Sequence, residues 1–399
     1  MLPEDPPYID TPTYSAEPSI DERVLERAQT FERTVPTGTY TCSNEHFQLT
    51  LQEQQSNAKL PSYGRHGLIK GDLRLKDLDE IVSVDIKLEG KLDLALPGIG
   101  RPASTDFFSF KQNIWRSDNG STAPRQCPSH LFFEMKFPPT YRGRSLKEVH
   151  LPPSCEISLL ECKMGCIYTL TISASKSPRL AILKRKKSLT VGVDYHPESL
   201  PPRPVVPLDV SFSETETSIP TAWHETESVV KTRYGSSIEP IQCHLYIPST
   251  RIFGIANPIP FHVRLSGPLS SLRELYAHSP ATDTNGAPRP IIRVRLMRNV
   301  HVNSYGNQIR KTILLGEGQL FALPPRSTEG GRQDMLDWEG SVKCSKDVEV
   351  GGFAVDDALT IKDFLMVNVY PPKSQSSPLV EMECLQMVML VDDRWTTHL

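Results

Sequence analysis

The run from Gly67 to Leu92, GLIKGDLRLKDLDEIVSVDIKLEGKL, alternates twice. Ile69, Leu73 and Leu75 share one parity with Gly71, and Lys70, Asp72 and Arg74 share the other. After a short charged turn, Lys76 to Glu80, the residues Val82, Val84, Ile86 and Leu88 alternate with Ser83, Asp85, Lys87 and Glu89. Period two marks a strand with one dry and one wet face, so two long antiparallel strands are predicted. The same alternation places Phe47, Leu49 and Leu51 on one face, and strands follow at 107–115, 130–137 and 155–160. In CIYTLTISA (166–174), Cys166, Tyr168, Leu170, Ile172 and Ala174 oppose Thr169, Thr171 and Ser173. SLTVGVDY (188–195) closes this set with Leu189, Val191, Val193 and Tyr195 inward.

The pattern then stops. HPESLPPRPVVP (196–207) is proline-rich and predicts extended chain, and SETETSIPTAWHETES continues polar. Strands resume at 241–248 and at 259–265, where Ile259, Phe261, Val263 and Leu265 alternate with His262 and Arg264. Further strands are predicted at 291–302, 311–323, 359–372 and 380–391. Short strands with Gly/Pro turns predict an all-β protein of two sandwich domains, 39–195 and 239–395, joined by a Pro-rich linker, 196–238. Residues 1–38 are polar and proline-rich and read as a mostly disordered tail. Within it only Ile20–Phe31 has helical spacing, with Val24, Leu25, Ala28 and Phe31 near one face.

Composition narrows the partners. The 399 residues carry a net charge of -3, which favours neither nucleic acid nor an acidic polymer. The 35 prolines oppose long helices. The acidic N-terminus is no signal peptide and no apolar run reaches the ~20 residues of a membrane span, so a cytoplasmic protein with eight reduced cysteines is expected. Asn119-Gly120-Ser121 then reads as a turn.

Several stretches together resemble the arrestin-like family, in its α-arrestin branch. YGRHGLIKGDLRL with IVSVDIKLEG resembles the start of an arrestin N-terminal domain, and LPPSCEISL, CIYTLTI and SLTVGVDY resemble its second half. CHLYIPSTRIFGIANPIPFHVRLSG resembles the opening of the C-terminal domain, and IRVRLMRNVHV and DFLMVNVYPP fit its later strands. The resemblance implies two tandem immunoglobulin-like sandwiches in an arrestin fold. It implies an adaptor that binds cytosolic segments of membrane proteins at the plasma membrane or endosomes. It further implies recruitment of a HECT-type ubiquitin ligase through PPxY motifs read by WW domains, so that cargo is ubiquitinated and internalised. The alternative is an arrestin-fold sorting scaffold, similar to the sorting subunit of retromer, that recruits no ligase.

Candidate WW-binding segments are PPTY (Pro138, Pro139, Thr140, Tyr141), LPSY (Leu60, Pro61, Ser62, Tyr63) and two imperfect tail segments, TPTY with Pro12 and Tyr14, and PPY (Pro6, Pro7, Tyr8). A short polyproline helix docks in an aromatic groove and the tyrosine fills a second pocket. PPTY also reads as the end of the strand before it, and LPSY as the start of the strand after it. The basic run Lys184, Arg185, Lys186 and Lys187 suits acidic cargo tails or an anionic membrane surface, or is a solvated turn. CKMGC (Cys162–Cys166) lacks the second half of a zinc site, and no metal or cofactor is expected. Neither GxSxG, nor HExxH, nor a phosphate-cradling glycine loop is present, which points away from an enzyme.

Overall fold

The computed structural model describes residues 36–95, 103–117, 126–144, 146–159, 162–176, 186–197, 212–275, 290–304, 306–324, 334–345, 348–372 and 376–391. The tail helix expected at 20–31, Pro6, Pro7 and Tyr8, Pro12 and Tyr14, the turn at Asn119 and the stretch 198–211 lie outside them.

The first half comprises β1 (Gly38–Ser43), β2 (Phe47–Gln54), β3 (Ser62–Gly64), β4 (Leu68–Leu75), β5 (Ile81–Ala95) and β6 (Ala103–Arg116). It continues with β7 (His130–Lys136), β8 (Thr140–Arg142), β9 (Glu148–His150), β10 (Cys155–Leu159), β11 (Cys162–Lys176) and β12 (Lys186–His196). One sheet runs β1-β2-β4-β7 and the other β3-β12-β11-β5-β6, with β10 also on β11. Their apolar faces share one core, in which Leu49, Ile69 and Leu73 of the first sheet meet Ile86, Leu88 and Tyr168 of the second.

The two runs that open the alternation are both strands, but they do not pair with each other. β4 bonds to β2 and β7, whereas β5 bonds to β11 and β6. The charged turn carries the chain from one sheet to the other, and Lys176 Nζ holds it by Asp77 Oδ2 at 2.6 Å. Alternation tells which face of a strand is dry and not which strand lies beside it.

The second half comprises α1 (Phe212–Ser218), a 3-10 turn (Pro220–Ala222), β13 (Trp223–Val230), β14 (Ile241–Pro248), β15 (Ile252–Gly254), β16 (Ile259–Gly267) and α2 (Leu269–Glu274). It ends with β17 (Ile292–Ser304), β18 (Asn307–Ala322), β19 (Asp334–Val342), β20 (Ala354–Val355), β21 (Leu359–Val369) and β22 (Met382–Val391). The order is β13-β14-β16-β19-β18-β17-β21-β22-β15, with β20 on β21. This sheet curls over its own core because β18 changes neighbours, pairing with β17 up to Glu317 and with β19 from Gly318. Gly340 of β19 sits at that corner, where a Cβ would strike the Gln319 carbonyl and the Phe261 ring. The ends of the curl meet where Thr226 Oγ1 donates to Gln386 Oε1 at 2.6 Å.

Two expectations change here. The stretch 196–238 is not all linker: α1 and β13 belong to the second half. WHETESVV shows no apolar alternation because β13 is the first strand of its sheet, and edge strands carry charge. His262 and Arg264, expected on the wet face of β16, are buried because α1 covers that face.

A third apolar cluster joins the halves. Leu92, Met164 and Cys166 from the first meet Val300, Val355 and Ile361 from the second. Among the described residues no helix is long and apolar enough to cross a membrane.

Candidate functional site

The complete PPxY segment lies at this joint. β7 ends at Lys136, and Phe137 beyond it is fully buried, its ring stacked on Tyr195 at 4.3 Å. Pro138 and Pro139 are half-buried and interrupt the ladder, since neither has an N–H to donate. The chain then enters β8, which pairs with β9, and Tyr141 turns inward at 6 % exposure. Its ring lies 5.3 Å from that of Phe107.

The Tyr141 hydroxyl reaches Asp356 of the second half. It accepts from the Asp356 amide at 3.2 Å and donates to Asp356 Oδ1 at 3.5 Å. The Arg144 amide donates to the same carboxylate oxygen at 3.2 Å. Asp356 lies between β20 and β21 with φ 44°, a left-handed conformation that a non-glycine residue adopts at a cost of about 1–3 kcal/mol. Both its main chain and its side chain are committed to the first half. Burial, reinforced by the Asp356 charge, pushes the Tyr141 phenol up to about 12, so it stays a donor at neutral pH.

The other candidates are scattered. In LPSY only Leu60 stands exposed, while Pro61 and Tyr63 are buried. β3 pairs in parallel with β12, and Tyr63 joins the core 6.2 Å from the Phe137 ring. That motif serves as a strand, and a WW groove does not reach Tyr63 in this conformation. Of the basic run, Lys186 is exposed and Lys187 half-buried at the start of β12, while Lys184 and Arg185 lie outside the described residues. Cys162 and Cys166 are core residues of β11, and Cys166 faces Cys155 of β10 in register.

Three polar groups escaped the sequence reading. Asp356 left only a turn signal, VDDA. Arg298 and Asp363, opposite one another on β17 and β21, form a buried bidentate pair at 2.7 and 3.0 Å beside the third cluster. Glu225, Glu227 and His244 hold donor atoms within 4.8 Å of one another, but both His244 nitrogens are engaged, by Glu225 at 2.7 Å and Ser266 at 3.3 Å.

No family model and no curated protein matches this chain.

Proposed function

We propose that this protein is an arrestin-like adaptor, two tandem β-sandwiches locked into one body that holds cytosolic segments of membrane proteins. The joint between Tyr141 and Asp356 carries this reading. Tyr141 and the Arg144 amide brace the first half against Asp356 of the second, as a platform for protein contacts needs. Contact surface is supplied by Phe132, which stands 74 % exposed on β7, and by the long end strand β6 with Phe110 half-exposed. Lys186 and Lys187 add positive charge at the start of β12, suited to acidic tails or an anionic membrane.

The same joint favours a sorting scaffold over a ligase adaptor. A WW groove reads two proline faces and the tyrosine ring, and here the ring is shut between the halves. Ligase recruitment through Pro138–Tyr141 therefore requires the joint to open, and otherwise it falls to the tail segment with Pro12 and Tyr14.

Capture of the full chain by immobilised WW domains tests this. Any binding of the wild type is expected to depend on Tyr14 and to survive Tyr141→Phe. Asp356→Ala is expected to add binding that Tyr141→Ala then removes. Loss of wild-type binding on Tyr141→Phe alone would show the motif open in the resting protein. Absence of binding by every variant would leave the scaffold without a ligase arm.

A further inference from the structure

The outer face of β16 carries a seat filled by α1. Its floor is His262 and Arg264 on β16 with Asp337 on β19, and its walls are Tyr246 on β14 and Trp223 at the start of β13. Asp337 Oδ1 accepts from Arg264 Nε at 2.8 Å and lies 2.8 Å from His262 Nε2. The inner faces of β14 and β16 are fully buried at Leu245, Ile247, Val263 and Leu265, so the floor is held by the sheet and not by α1.

The occupant is a seven-residue helix, too short to persist alone. Phe212, Thr215 and Glu216 anchor it. Phe212 stacks on the His262 ring at 3.7 Å and 12° and meets Trp223 edge-on at 5.0 Å. Arg264 grips Glu216 with both terminal nitrogens, at 2.6 and 3.0 Å. Trp223 Nε1 donates to Thr215 Oγ1 at 3.0 Å. An aromatic ring and a carboxylate one helical turn later thus match an aromatic box with a cation beside it. The match is incomplete: His262 Nδ1 and Asp337 Oδ2 are buried without a hydrogen-bond partner among the described residues. A ligand that satisfied either would gain what α1 does not supply.

We propose that this seat is a recognition site for acidic peptide segments of partner proteins, carrying an aromatic side chain one helical turn before a carboxylate, and that α1 is its resident occupant. A partner segment binds by displacing α1, with Phe212 and Glu216 marking the two positions it must reproduce. Acid loosens the resident. Burial lowers the His262 pKa from its ordinary value of about 6.5, so protonation of the ring favours uncovering it. Docking of α1 is therefore complete above that pH and weakens as pH falls. The groups facing His262 are Asp337 and, opposite it in the ladder, Glu339 on β19, Arg264 on its own strand, Tyr246 on β14 with its hydroxyl on Glu225 of β13, and Glu216 on α1. Asp337 opposes the acid effect by its bond to the ring.

A labelled peptide of residues 209–218 is the probe, measured by fluorescence anisotropy against the full chain. Release of α1 by Phe212→Ser with Glu216→Lys is expected to tighten peptide binding at least about tenfold over wild type, and adding Arg264→Met to abolish the gain. Peptides carrying the same two changes should not bind. A folded double variant that binds the peptide no better than wild type overturns the proposal. If that variant does not fold, hydrogen exchange on the wild type decides. Millimolar peptide, or acidification from about pH 7.5 to about 5.5, must each lower the protection of α1 amides relative to their intrinsic exchange rate at that pH without changing the protection of β16. Exchange of α1 only together with β16 would make it a fixed part of the fold and end the proposal.

Discussion

Replacing Asp363 by alanine is expected to destabilise the protein by about 3–5 kcal/mol, because the Arg298 guanidinium is then left buried without its counter-charge. Arg298 and Asp363 side chains are 3 % and 0 % exposed. Gly351 closes over the pair so tightly that a Cβ there would strike both groups. Burial pushes the Asp363 carboxyl above its ordinary range against the pull of Arg298, so the pair is held by geometry at a desolvation cost. The double change Arg298→Met with Asp363→Leu should therefore recover most of the loss, as apolar replacements of buried pairs do. Urea unfolding of the full chain reads both effects. A loss below ~1 kcal/mol for Asp363→Ala would mean that the pair is hydrated, which its burial denies.

Residue by residue, alternation was a good guide to which side chains are inside. Leu49, Ile86, Tyr168, Val191 and Val263 all point where period two sends them, because each strand keeps one face on a core. It failed where a neighbour, and not the strand itself, sets the environment. His262 and Arg264 have the parity of solvated residues, and a helix 44 or more positions earlier in the chain covers them. β13 was hidden for a related reason: its charged residues suit a sheet edge and resemble linker. The β4–β5 turn looked like a hairpin because sequence adjacency implies pairing more often than not, whereas here it crosses between layers. Tyr141 shows the limit for sites. PPTY is legible as a motif, but its partner Asp356 stands 215 positions away, and nothing local announces that the tyrosine is a joint.

That joint makes a separable prediction for Tyr141. Tyr141→Ala is expected to cost about 3–5 kcal/mol, as deletion of a buried aromatic ring does, and Tyr141→Phe only about 1 kcal/mol. The ring fills the space beside Phe107, while the hydroxyl bonds to Asp356. A double-mutant cycle of Tyr141→Phe with Asp356→Ala should give a coupling of about 0.5–3 kcal/mol, since the two residues share their hydrogen bonds. Alkali supplies an independent check. The folded phenol titrates near 12, above its ordinary value of 10.0, so its contribution is intact below pH 10.0 and is lost as pH rises toward about 12. Other buried tyrosines respond in the same direction, and the difference between wild type and Tyr141→Phe isolates this one. Additive single changes, together with an alkaline difference of zero, would mean that Tyr141 and Asp356 do not bind the halves together. The PPxY segment would then be free to meet a WW domain without any prior opening, and the preference for a ligase-free scaffold would reverse.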